Sequence, residues 1–100
     1  MNEHIETIKT FLSERELLEQ LAEECAELSQ AALKAVRAKG YSTNWTPKSK
    51  DEAQADLIEE ARDVMSVLYL LGILPNNVEN YWKYQRWAVR LIGQMEHKHE

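Results

Sequence analysis

One stretch of this 100-residue chain occurs twice. Leu21-Ala22-Glu23-Glu24-Cys25-Ala26-Glu27-Leu28 returns thirty-six positions later as Leu57-Ile58-Glu59-Glu60-Ala61-Arg62-Asp63-Val64, apolar at both ends and acidic at the same three positions. Each residue of an α-helix advances about 100°, so Glu24 projects roughly 40° from Leu28 and about 60° from Leu21. It therefore leans toward the apolar side. Glu60 stands in the same relation to Val64 and Leu57, with Glu27 and Asp63 one turn further along. Packing the two apolar stripes together brings four carboxylates into one low-dielectric space, where they repel or take up protons unless a cation lies among them.

Length and composition fit this helical reading. One hundred residues make a single domain, 1–100, with a modest core and with apolar surface left to bury between subunits. Three Gly and two Pro leave little material for turns, which favours long helices over strands. A net charge of −5 argues against affinity for a nucleic acid polymer or an anionic membrane, while a metal can still bring a small polyanion to an acidic site. The lone Cys25 closes no intrachain disulfide and reads as a small core residue, which suits a reducing cytoplasm. No signal peptide is visible, and the apolar run from Val67 to Leu74 is far short of a membrane span, so a soluble protein is expected.

Four helices are predicted. Ile5, Ile8, Phe11 and Leu12 line a short one, and Ser13-Glu14-Arg15-Glu16 forms a capping box that opens the next. That long helix has the stripe Leu18, Leu21, Cys25, Leu28, Ala32 and Ala35, basic residues Lys34, Arg37 and Lys39 toward its negative end, and Gly40 as its stop. The loop from Tyr41 to Lys48 holds Tyr41 and Trp45, whose rings either cover the core edge or line a ligand pocket. Ser49-Lys50-Asp51-Glu52, a second capping box, starts a third helix with the stripe Leu57, Ala61, Val64, Leu68 and Leu71. Because Val64 to Leu71 is apolar at nearly every position, this helix is expected to be central and buried on more than one face. After a turn at Gly72, Pro75 and Asn76-Asn77, with an asparagine as cap, the fourth helix runs to about Met95 and leaves His97 and His99 in a fraying tail. Its Tyr81, Trp82, Tyr84, Trp87, Val89, Leu91 and Ile92 are too many and too widely spread for one stripe, so an oligomeric, four-helix bundle-like, all-α fold is expected.

Acid pairs of this kind suit Mg²⁺, which takes hard oxygen ligands together with substrate phosphates. Zinc fits less well with histidines only at positions 4, 97 and 99, and the Glu-x-x-His pairs of di-iron bundles are absent. There is no Gly-rich phosphate loop and no nucleophile with a histidine placed to activate it. A Glu-rich helix segment is ordinarily a solvated face, but here the lean toward the core occurs twice and basic neighbours are few.

The ordered pair Glu24-x-x-Glu27 and Glu60-x-x-Asp63, each preceded by another Glu and each on a capped helix, resembles the signature of the MazG-like all-α nucleoside triphosphate pyrophosphatases over Leu17 to about Leu74. The resemblance implies that Glu24, Glu27, Glu60 and Asp63 hold Mg²⁺, which bridges the phosphates of a nucleoside triphosphate cleaved by water between its α and β phosphates. Where the family often carries a Lys and an Asn one turn apart on the following helix, this chain reads Tyr81-Trp82-Lys83-Tyr84-Gln85-Arg86. Lys83 and Arg86 are there either as substitute phosphate contacts or as surface charges. Glu23 or Glu59 would accept the proton of the attacking water or orient the ligands, Trp45 is the aromatic candidate for substrate contact, and a homodimer or homotetramer is expected. The competing readings are a non-catalytic helical interaction module and a degenerate relative that binds nucleotide without cleaving it.

Overall fold

Serine starts both long helices and glycine stops them. A computed structural model describes residues 3–75 and 80–98 as α1 (Glu3–Phe11), α2 (Glu14–Ala38), α3 (Lys50–Leu70) and α4 (Tyr81–Lys98), and no strand occurs among the described residues. Ser13 Oγ accepts from the Glu16 amide at 3.2 Å while Glu16 accepts from the Ser13 amide at 3.1 Å. Ser49 and Glu52 repeat the exchange at 3.1 and 3.3 Å. Each box satisfies two amides that a helix start leaves without partners. At the far ends Gly40 (φ +79°) and Gly72 (φ +74°) take the left-handed conformation. The Tyr41 amide then donates to Val36 O and the Ile73 amide to Leu68 O, both at 3.0 Å, closing a Schellman turn on each helix. The internal repeat thus extends to the caps, since Glu24 lies as far from Ser13 as Glu60 lies from Ser49.

α2 and α3 form an antiparallel hairpin, the one extensive helix–helix contact among the described residues. Lys39, beyond the end of α2, donates to Gln54 near the start of α3 at 2.7 Å, while the earlier Glu24 meets the later Glu60 and Asp63. The seam differs in register from the predicted stripe. On α2 the buried residues are Leu17, Ala31 and Ala35, whereas Leu18, Cys25 and Ala32 are exposed. Cys25 is accordingly a surface thiol and not a core residue. On α3 the buried residues are Ala53 and Val67, with Leu57, Ala61, Val64, Leu68 and Leu71 half-buried. Leu17, Glu24 and Ala31 are spaced by sevens, and so are Ala53, Glu60 and Val67, the spacing of a two-helix seam. With Glu24 level with Glu60, Leu17 falls level with Val67 and Ala31 with Ala53. A carboxylate layer lies between one large apolar layer and one small one.

α1 and α4 project from this hairpin. Ile5 of α1 borders a groove with Met65 and Tyr69 on the outer face of α3, so within this chain α3 is buried on one face instead of several. Asn80 caps α4, its Oδ1 accepting from the Lys83 amide at 3.1 Å; Asn76 and Asn77, where the cap was expected, lie outside the described residues, as does His99. α4 continues past Met95 through His97, which is helical and not part of a frayed tail. Every α4 residue from Tyr81 to His97 is exposed, including Trp82, Trp87, Leu91 and Ile92. The radius of gyration is 18.2 Å, against about 13 Å for a compact chain of this length. No described helix is long and apolar enough to cross a membrane.

Candidate metal centre

The heptad that seats Leu17 and Ala31 in the seam seats Glu24 there as well, and the same spacing does so for Glu60 between Ala53 and Val67. Carboxylate oxygens of Glu24, Glu60 and Asp63 lie within 4.8 Å of one another, and all three residues are half-buried. Gln20, one turn before Glu24, donates from Nε2 to Glu24 Oε1 at 2.7 Å and fixes that carboxyl. The second oxygens, Glu24 Oε2 and Glu60 Oε2, are buried without any hydrogen-bond partner. No Lys or Arg pairs with the three acids among the described residues. Two buried, undonated carboxylate oxygens in one acidic cluster are costly unless a proton or cation joins them.

Glu27 stands at the open edge of this cluster. It is exposed, yet its carboxyl is pushed above the ordinary 4.5 by the charge of Glu24, then by partial loss of water, the charge of Glu60, a hydrogen bond with Glu60, and Glu23. The repeat makes Glu27 and Asp63 counterparts, but the structure separates their roles. Asp63 closes the triad, while Glu27 and Glu60 line a cleft of about 250 Å³ together with Ala31 and Ala53. Two methyl side chains leave that space, which leucines at a seam would fill.

The other sequence candidates surround this arrangement unequally. Glu23 and Glu59 are exposed on the outer flanks of α2 and α3. Trp45 is 83% exposed in the loop 39–49, outside the residues that line the cleft. Lys83 and Arg86 border an open groove along α4 with Val89 and Arg90, and no α4 residue lines the cleft beside the acids. The residues that sequence reading passed over are Gln20, Lys34, Lys48 and Asp56. Gln20 was visible as the i−4 neighbour of Glu24 and Lys34 as the residue two turns beyond Glu27 on the same side. Lys48 and Asp56, joined by an ion pair between the loop and α3, carried no such signal.

Comparison of the chain with protein-family models, curated proteins and solved structures gave no match.

Proposed function

We propose that this chain is a Mg²⁺-dependent hydrolase that cleaves nucleoside triphosphates between the α and β phosphates, releasing a nucleoside monophosphate and pyrophosphate. The observation that supports it most is the pair of buried, unpartnered oxygens on Glu24 and Glu60 beside Asp63. All the donors are carboxylate oxygens, the hard ligands Mg²⁺ prefers. Glu24, Glu60 and Asp63 would hold the ion, with Glu27 joining them from the cleft side. The metal, when bound, supplies neutralisation of phosphate charge and Lewis acidity. The chain provides the rest. The seam fixes the rotamers of Glu24 and Glu60, Gln20 keeps Glu24 aimed, and the small layer leaves room for phosphate. Glu23 or Glu59, exposed next to the ligands, takes up the proton of the attacking water or orients the ligand set. Trp45 offers a ring for the base.

The active form in this proposal is a homodimer or homotetramer. The uncovered apolar surface of α4 supports it, with Lys83 and Arg86 standing beside that surface. The same exposure favours a second reading, a helical interaction module whose α4 is the partner surface. A panel of nucleoside triphosphates with Mg²⁺, assayed separately for pyrophosphate and orthophosphate, distinguishes the two. The hydrolase releases pyrophosphate from at least one nucleotide; release of orthophosphate alone, or of neither, favours the interaction module.

A further inference from the structure

The cleft beside the acids is not purely acidic. Lys34 from the last third of α2 and Lys48 from the loop line it together with Glu27, Glu60, Asp56 and the buried Ala31 and Ala53. A cleft meant for a cation alone gains nothing from two ammonium groups, which compete with the metal for the carboxylates. A ligand that is itself strongly anionic and reaches the metal from this side needs both. Lys34 makes no ion pair with any described residue. Lys48 is held by Asp56, which keeps its ammonium charged above the usual lysine range, and both side chains remain more than a third exposed. An exposed pair of this sort is weak and exchanges readily for a better anion. The size of the cleft is also informative. About 250 Å³ is below the roughly 300–1,000 Å³ of pockets that enclose a whole drug-sized ligand. It accommodates a short phosphate chain and leaves a nucleoside outside.

We propose that Lys34 and Lys48 form the phosphate-binding rim of this site: the phosphate chain of the substrate lies in the cleft over Ala31 and Ala53, with Lys48 leaving Asp56 to meet it. The proposal deepens the hydrolase reading and rests on it for the metal. It assigns phosphate recognition to α2 and the following loop of the same chain, ahead of Lys83 and Arg86 on α4.

The test is calorimetric titration of inorganic tripolyphosphate into the full chain at saturating Mg²⁺, for wild type, Lys34→Ala, Lys48→Ala, Lys83→Ala and Lys48→Arg. All the altered side chains are exposed or half-buried, so folding is preserved and is checked by circular dichroism. Lys34→Ala and Lys48→Ala are each expected to weaken tripolyphosphate binding about tenfold, the weight of one charge-assisted contact, with Lys48→Arg largely restoring it and Lys83→Ala leaving it within about twofold. The Mg²⁺-induced rise in melting temperature should survive in every variant. Wild-type affinity in both alanine variants, a loss confined to Lys83→Ala, or no tripolyphosphate binding by the wild type overturns the proposal. Absence of the Mg²⁺ effect in the wild type overturns instead the metal reading beneath it.

Discussion

Glu24 and Glu60 occupy seam positions where a two-helix heptad ordinarily carries leucine, and a protein that keeps acids there gives up apolar burial on both helices. Gln20 satisfies one oxygen of Glu24, but no described residue satisfies Glu24 Oε2 or Glu60 Oε2. The apo fold therefore carries the strain of its own site, and Glu27 shows how. A carboxyl with a raised value in the folded state binds its proton more tightly there than when unfolded, so stability is highest with the proton on and falls as pH climbs from about 4.5 through the raised value. In chelator, the wild-type melting temperature should fall as pH rises across that window. Glu27→Gln should flatten this part of the profile, because its amide does not titrate and no longer repels Glu24. A wild-type profile that rises with pH through the window would contradict the crowding of these acids.

The helix boundaries follow from short-range chemistry. Ser13 with Glu16, Ser49 with Glu52, and the glycines at 40 and 72 each act within one turn, which is why these ends were legible without any tertiary information. Ser49→Ala removes one such device at the start of α3, and urea denaturation should show a loss of about 1 kcal/mol; a change within error would mean that Glu52 and solvent replace the cap. The lean of Glu24 and Glu60 toward the core was legible from the angle between successive residues. Their place inside the seam was not. Ranking by hydrophobicity puts Cys25 in the stripe and Glu24 at its margin, whereas the hairpin packs along Leu17, Ala31 and Ala53, where small side chains let the backbones approach. The cleft was hidden for the same reason, since it follows from which alanines come level with each other and from where the loop leaves Lys48. The cap on α4 was legible as an asparagine but not as Asn80, because three asparagines stand within five residues and each is a competent cap.

At the scale of the molecule, the hairpin is flanked by helices that bury almost nothing against it, and a single chain leaves Tyr81, Trp82, Trp87, Val89, Leu91, Ile92 and Met95 uncovered. In the proposed oligomer this exposed apolar surface is the interface. Light scattering at micromolar concentration is expected to give a mass of two or four times 11.7 kDa, and Ile92→Glu should shift it toward one chain. A wild-type monomer would remove the interface from this picture. The carboxylate layer is then the feature on which the proposed function depends, and the proposed metal binding would appear as stability of the whole fold. The most direct measurement is the melting temperature of wild type and Glu60→Gln at fixed protein concentration, with chelator and with Mg²⁺ in excess. At roughly one hundred times the dissociation constant, binding to the folded state alone adds about 2.7 kcal/mol, or upwards of about 10 °C for a chain of this size. The wild type should show that rise, while Glu60→Gln should melt no lower than wild type in chelator and respond little to Mg²⁺. Equal melting temperatures with and without Mg²⁺ for the wild type would contradict the metal centre.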